Sequence, residues 1–304
     1  MKYYKRLEEI RQEKPTVITL GKFDGIHRGH QKLIRVVEKI AKERGLQTLM
    51  FTFGVSPQTV LGIRDKSVLM TNEERGELAS RFGMDMLVEC PFTKEIRNMD
   101  AEDFVKKILV DGLKVQAVVI GDDFHFGKER AGNAAFLKEK GPKYGFTVDV
   151  IEKEMDGQRE ISSSYVREEL AKGNIQKVNE LLGYEYFISG DVIRGMHMGT
   201  GLGFPTINIS PSEEKMLPPR GVYASKTEID EVEYDSITNI GVKPTIGEAK
   251  LGVESFLLNF SGDLYGKKVY VKLLEFERPE KKFGSIEELK KQVEKDIAKR
   301  REMV

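Results

Sequence analysis

The segment Gly21-Lys22-Phe23-Asp24-Gly25-Ile26-His27-Arg28-Gly29-His30 packs three glycines, two imidazoles and a guanidinium into ten residues. Glycines let backbone come close to a ligand. A helix that starts here presents unpaired N–H groups, a natural seat for an anion. His27 and His30, three apart, share one face of that helix. Together with Arg28 they crowd positive charge into a first turn, against the helix macrodipole. A polyphosphate lying there turns the penalty into an attraction, and the histidines can donate hydrogen bonds to charge developing on a departing pyrophosphate. The spacing is neither a Walker A loop nor the dinucleotide fingerprint, since the glycines recur every four residues and no Gly-Lys-Ser/Thr follows. Two plainer readings stand beside this one: a tight surface turn, or a metal site shared with Asp24, which needs further ligands. Ile161-Ser162-Ser163-Ser164-Tyr165-Val166-Arg167 repeats the oddity. Ser164 suits an N-cap, yet Arg167 stands where a capping box puts Glu or Gln. A cation there again suits a phosphate; an ordinary Ser-capped helix with a solvated Arg167 is the alternative.

A second constellation spans Gly190 to Phe283. Gly190, Gly195, Gly199, Gly201 and Gly203 fall within fourteen residues and lead into Phe204-Pro205-Thr206-Ile207-Asn208. In a strand Thr206 and Asn208 share one face, Ile207 and Ile209 the other. That parity reads as polar-out and apolar-in, or as a hydroxyl and an amide oxygen aimed at Mg²⁺ and phosphate. In Val253–Phe260 the same parity puts Glu254 on one face with Phe256, Leu258 and Phe260. A carboxylate on an apolar face is costly, and burial raises its pKa towards the range of a general base. The alternative is a Glu254 solvated at a strand end.

Two kinds of element must position these groups. The first half alternates strands (Thr16–Leu20, Leu46–Phe53, Met84–Glu89, Ala117–Gly121, Thr147–Ile151) with helices (Gln31–Arg44, Thr71–Phe82, Ala101–Leu109, Ala134–Lys140). Such alternation predicts a parallel sheet covered on both faces, with ligands beyond the carboxyl ends of its strands. After Gly183 six strands follow (Tyr186–Arg194, Thr206–Ile209, Gly221–Lys226, Tyr234–Ile240, Val253–Phe260, Val269–Phe276) and then one long helix, Ser285–Arg300. That is the pattern of an antiparallel barrel closed by a terminal helix. The joint falls near Leu182–Glu185, giving domains 1–183 and 184–304.

At 304 residues the chain has room for two domains. Lys+Arg and Asp+Glu both total 49, which argues against a broad basic face for nucleic acid. The single cysteine, Cys90, excludes an intramolecular disulfide and any multi-cysteine metal centre. No apolar run approaches the roughly 18 residues of a membrane span, and Met1–Lys14 has no secretory h-region. A reducing cytosol is the expected compartment.

These motifs resemble those of the prokaryotic bifunctional riboflavin kinase/FMN adenylyltransferase (FAD synthetase) family. Gly-x-Phe-Asp-Gly-x-His-x-Gly-His with the later Ile-Ser-Ser-Ser-x-x-Arg is similar to its nucleotidyltransferase domain. Phe51–Pro57 stands in place of its Phe-x-Pro-x-Pro loop with only Pro57 kept, and Gly121–Gly127 resembles its Gly-x-Asp-Phe-x-Phe-Gly segment. Gly-Phe-Pro-Thr-x-Asn, Gly221-Val-Tyr, Asn239–Thr245, Val253–Gly266 and Arg278-Pro-Glu-Lys-Lys-Phe283 resemble its riboflavin kinase domain. The resemblance implies a Rossmann-like nucleotidyltransferase domain followed by a kinase-type barrel. It implies ATP phosphates at Gly21, Phe23, Asp24, Gly25, His27, His30, Ser163, Ser164 and Arg167, with His27 and His30 catalytic. Pro57, Asp123, Phe124 and Phe126 would then lie by the flavin. In the second half it implies Mg-ATP at Gly195, Gly199, Gly201, Thr206 and Asn208, with Thr206 and Asn208 serving the metal. Glu254 would activate the riboflavin 5′-hydroxyl, with Gly203, Phe204, Arg278, Glu280 and Phe283 about the flavin. ATP, Mg²⁺, riboflavin, FMN and FAD are the implied ligands, all small molecules. Thr200 stands where the family often has Arg, and Phe256 where it often has His. A weakened kinase, leaving a monofunctional adenylyltransferase, or a non-catalytic flavin-binding protein are the competing expectations.

Overall fold

The computed structural model describes residues 1–55, 67–194, 204–244 and 249–302. Contacts divide the chain into two compact units, Met1–Ser163 and Ser164–Val304.

The first unit is built on a six-stranded, all-parallel sheet. Its strands are β1 (Lys2–Tyr4), β2 (Thr16–Leu20), β3 (Gln47–Phe53), β4 (Met86–Cys90), β5 (Val115–Gly121) and, after the two-residue pair β6 (His125–Phe126) and β7 (Gly132–Asn133), β8 (Thr147–Ile151), in the order β1-β4-β3-β2-β5-β8. Every residue of β2 and β4 is buried, as expected of strands covered on both faces. The edge strand β1 was not foreseen: Lys2-Tyr3-Tyr4 is short and polar, and only pairing with Met86–Val88 makes it a strand.

The helices are α1 (Arg28–Arg44), α2 (Asn72–Arg81), α3 (Lys94–Asn98), α4 (Ala101–Asp103, widening into a π-helix over Phe104–Gly112) and α5 (Ala134–Tyr144). α1 turns Leu33, Ile34, Val37 and Ala41 inward and stops at Gly45, whose φ of 66° is the left-handed cap. It begins three residues before its apolar pattern does, because the first turn carries histidines and no apolar residue. Thr71 and Glu74 form a reciprocal capping box on α2. The strand order runs outward in opposite senses from β2 and β5, which makes the boundary between these parallel neighbours the topological switch point. A small hairpin, β9 (Met155–Asp156) and β10 (Arg159–Glu160), closes the unit.

The second unit takes in α6 (Ser163–Lys172, from Ser164 on) and α7 (Ile175–Leu182). The Asn179 side chain donates to Leu273 O at 2.8 Å and accepts from Tyr186 N–H at 2.7 Å, which ties α7 to the strands that follow. Those strands are β11 (Phe187–Ile193), β12 (Thr206–Ile209), β13 (Gly221–Ile229), β14 (Val232–Pro244), β15 (Ala249–Leu257) and β16 (Lys268–Arg278). They close an antiparallel barrel in the order β11-β12-β15-β14-β13-β16, and α8 (Ile286–Glu302) follows.

The barrel interior corrects one expectation. On β15 the buried inward residues are Val253, Ser255 and Leu257, not Glu254 and its neighbours. The strand also ends at Leu257, so Leu258 and Phe260 do not continue Glu254's face. Apolar parity misled because part of the interior is polar. The hydroxyls of Thr227, Ser236, Ser225, Thr238 and Ser255, all 0% exposed, form a chain with spacings of 2.7–2.9 Å. Each has a partner, so their burial carries no unmet hydrogen-bond cost.

Candidate active site

Each unit holds one site. In the first, a cavity of about 530 Å³ opens at the switch point, by Gly21, which follows β2, and Gly121 at the end of β5. The loop from Gly21 to His27 is tightly wound. Phe23, Gly25 and Ile26 have φ of 45°, 89° and 33°, and for a β-branched residue such as Ile26 that is a strained backbone. Phe23 and Ile26 anchor the loop with fully buried side chains. Asp24, also buried, accepts from Leu69 N–H at 2.9 Å, and its backbone carbonyl accepts from Ser163 Oγ at 2.8 Å. The side chains of Phe23, Asp24 and Ser163 therefore shape the loop.

His27 is the N-cap residue of α1 and makes no side-chain cap bond, and the first turn contains no acidic residue. His27 and His30 stack at 3.8 Å between ring centroids with 23° between planes. Gly29 makes the stack possible, since a Cβ there would meet the His27 ring at 3.2 Å. The Nδ1 atoms of both rings are buried without a hydrogen-bond partner among the described residues. Burial holds His27 down at about 4, with Asp24 pulling the other way. His30 lies well below the usual histidine value through burial first, then His27, then Arg75. The pair is therefore neutral near pH 7. Arg28, the one fixed cation of the turn, pairs with Glu154 at 3.0 Å. The crowding of positive charge expected from the sequence is thus relieved by deprotonation and an ion pair. What remains is an uncharged, underbonded pair of imidazoles at the start of a long helix.

The same cavity is walled with aromatic rings. Phe124 and Phe126 stack at 5.7 Å and 18°, and Phe53 meets Phe92 edge-on at 5.1 Å. Gly132 leaves room for Phe126, whose ring would lie 2.5 Å from a Cβ there. Such faces suit a flat heteroaromatic ring. Asp123 is exposed beside Lys153, 3.4 Å away. Lys22, Arg97 and Arg130 also line the cavity; the sequence did not single them out, because isolated cations in loops carry no spacing signal. Pro57 lies outside the described residues.

Of the second serine-rich segment, α6 begins at Ser163, so the cap position is Ser162 rather than Ser164, and Ser164 is exposed in the first turn. Arg167 Nη1 lies 3.9 Å from Met216 Sδ within the second unit.

In the second unit a cavity of about 240 Å³ lies against the outer face of the barrel. Strand register builds it. Asn208 on β12, Glu254 on β15 and Asn239 on β14 are direct cross-strand partners, so three polar side chains stand in a row. Thr206 donates its hydroxyl to Glu254 Oε1 at 2.5 Å. Glu254 is half-buried and lines this cavity. Thr206 and Asn208 are not a polar-out face: Asn208 is buried and Thr206 half-buried. Their hydroxyl and amide oxygens, beside the Glu254 carboxylate, are the hard donors that suit Mg²⁺. Among the described residues no cluster of three or more His, Cys, Asp or Glu side chains could hold a metal by itself, so such an ion would need phosphate and water for its remaining ligands.

Phe204 and Phe256 pack edge-on at 5.6 Å and 89°, and both line the cavity. Arg278 is held by Asp296 of α8, through contacts of 3.2 and 2.7 Å to one carboxylate. Its guanidinium thus tethers α8 while Arg278 also lines the cavity. Glu280 accepts from Asn239 Nδ2 at 3.4 Å and sits over Gly241, where any Cβ would collide with its carboxylate. Phe283 closes the same side. Asn239 was visible in the sequence only as part of a motif; its role appears once the register is known. Gly195, Gly199, Thr200, Gly201 and Gly203 lie outside the described residues.

The family model described as FAD synthetase matches residues 9–165, and the one described as riboflavin kinase matches residues 182–304. The bifunctional riboflavin kinase/FMN adenylyltransferase of Pseudomonas fluorescens is 35% identical over 301 residues, covering 98% of this chain and 96% of that protein. Its namesake from Bacillus subtilis (strain 168) is 36% identical over 292 residues, covering 94% and 91%. A crystal structure called a macrolide-efflux protein, from Streptococcus pneumoniae, superposes with a TM-score of 0.87 at 28% identity over 98% of both chains. Among the described residues no helix is long and apolar enough to cross a membrane.

Proposed function

The chain belongs to the bifunctional riboflavin kinase/FMN adenylyltransferase family and catalyses both ATP-dependent steps, riboflavin to FMN and FMN to FAD; we propose that each step is run by its own site. We assign adenylyl transfer to residues 1–183 and phosphoryl transfer to residues 184–304, in the cytosol.

In the kinase half Glu254 takes the proton of the riboflavin 5′-hydroxyl as that oxygen attacks the γ-phosphorus of ATP, and ADP leaves. A positioned base of this kind contributes about 10²–10⁴-fold. Thr206 fixes the carboxylate by its hydrogen bond, while Asn208 and Asn239 flank it by register. Thr206 and Asn208 are the residues that would hold Mg²⁺, which offsets phosphate charge when bound. Phe204, Phe256 and Phe283 supply the apolar wall for the ring system.

In the adenylyltransferase half the FMN phosphate oxygen attacks the α-phosphorus of ATP, and pyrophosphate leaves. His27, His30 and the open N–H groups of α1 donate to the phosphate oxygens as charge accumulates on the leaving group. Phe124 and Phe126 offer the ring stack for the flavin. Ser164 and Arg167 remain our candidates for further phosphate contacts, and Asp123 for the flavin edge.

The observation that carries this reading is the stacked, unpartnered imidazole pair in one half and the Thr206–Glu254 hydrogen bond in the other, each beside its own cavity. A time course from riboflavin, Mg²⁺ and ATP, with FMN, FAD and pyrophosphate resolved, tests it. FMN should form first and FAD with stoichiometric pyrophosphate after it; FAD without an FMN requirement would refute it.

A further inference from the structure

Arg75 is a buried arginine, 4% exposed, on a helix where a charged residue would ordinarily face water. Its Nη1 donates to Glu89 Oε1 at 3.0 Å and lies 3.4 Å from Phe53 O, and its Nη2 donates to Asn72 Oδ1 at 2.9 Å. Asn72 in turn donates to Gly54 O at 3.1 Å. Tyr3 of the edge strand donates its hydroxyl to the other oxygen of Glu89. Glu89 is itself 4% exposed. One buried ion pair thus gathers α2, the ends of β3 and β4, and β1. The two carbonyls held by Arg75 and Asn72, those of Phe53 and Gly54, lie at and just past the end of β3, and Thr52 and Phe53 wall the cavity that His30 also lines.

We infer that Arg75 is a positioning residue for adenylyl transfer: locked by Glu89 and Tyr3, it fixes the β3 edge of the flavin cavity and keeps a permanent positive charge buried behind that edge. A buried ion pair adds little net stability over apolar residues of similar volume, so its location at the cavity edge is the informative fact. The titratable and charged groups around His30 are His27 on its own turn, Asp24 in the preceding loop, Lys22 in the same cavity, and Arg75. His27 and Arg75 both disfavour a proton on His30. Burial comes first in keeping the imidazole neutral in the resting protein, and the Arg75 charge adds to it. A neutral ring holds no counter-ion and is ready for the phosphate tail.

The inference rests on the reading that His30 serves adenylyl transfer, and the test separates the two. Histidine ring signals of the full-length protein are followed by NMR from pH 8 to the onset of acid unfolding, for the wild type, Arg75→Met, Arg75→Lys and Glu89→Gln. Arg75→Met should raise the His30 midpoint by roughly one pH unit. Arg75→Lys and Glu89→Gln should leave it at or below the wild-type position, since both keep the positive charge. Those two should instead raise KM for FMN several-fold with kcat nearly unchanged, because the β3 edge loses its clamp. If Arg75→Met does not fold, the double variant Arg75→Gln/Glu89→Gln, which removes the charge but keeps amide hydrogen bonds, takes its place with a smaller expected rise, since the Glu89 charge goes with it. A His30 midpoint that stays put when the charge is removed, or that rises equally in Glu89→Gln, overturns the inference. Undiminished FAD synthesis in His30→Ala would instead refute the underlying reading, whatever the midpoints do.

Discussion

In the assignment proposed here the two sites meet one problem, stabilising charge during transfer from ATP, with different architecture. In the first unit the candidate groups sit three residues apart where one helix begins, with His27 at the cap and His30 in the first turn, and their rings stack. In the second they come from three strands, and only cross-strand register sets Asn208, Glu254 and Asn239 in a row. The first site withholds charge: its imidazoles are neutral and await an anion. The second holds a carboxylate in place with a hydroxyl. A leaving pyrophosphate calls for donors, and an attacking hydroxyl calls for an acceptor, so each architecture matches its step. Helix-borne residues tolerate change elsewhere in the fold, whereas register-borne residues fail together when one strand slips.

This contrast can be broken in order of expected effect. Glu254→Gln should cut riboflavin phosphorylation by about 10²–10⁴-fold, measured as FMN formed from riboflavin and Mg-ATP. His30→Ala should lower FAD formation from FMN by about 10²–10³-fold, the loss typical of one oxyanion donor. Thr206→Val, which leaves Glu254 without its hydroxyl partner, should cost about tenfold in kinase kcat. A smaller effect follows from pH. His27 is held at about 4 in the folded chain against 6.5 when free, so the unfolded chain takes up the proton first. Stability of the first unit should therefore fall as pH drops from about 6.5 towards 4, by up to roughly 3 kcal/mol, as read from denaturant midpoints. A bound anion raises these values again, so pyrophosphate should bind a few-fold more tightly at pH 6 than at pH 8, with proton uptake seen by calorimetry in two buffers. Unchanged affinity and no proton uptake would mean that the imidazoles do not face the phosphates.

Much of this was legible in the residues. The His27/His30 spacing and the Gly29 between them needed only helical periodicity, and the alternation of strands and helices gave the parallel sheet. The reading failed where tertiary context decides. Parity on β15 was taken from apolarity, but the barrel fills part of its interior with Ser225, Thr227, Ser236, Thr238 and Ser255, so the true inward face looked polar. The Asp24 carboxylate accepts from Leu69 N–H, 45 residues away, a pairing that the glycine loop does not announce. Arg75 is invisible in sequence, since a charged residue in an amphipathic helix signals water until Glu89 is seen beneath it. Pairings between distant segments leave no local trace.

The division of labour itself is tested most directly by a crossed assay. Glu254→Gln and His30→Ala, each shown to be folded, are given riboflavin or FMN in turn, with Mg-ATP. Glu254→Gln should convert FMN to FAD at the wild-type rate while failing to make FMN, and His30→Ala should accumulate FMN and stop there. Loss of both conversions in either folded variant would contradict the assignment of one site to each step.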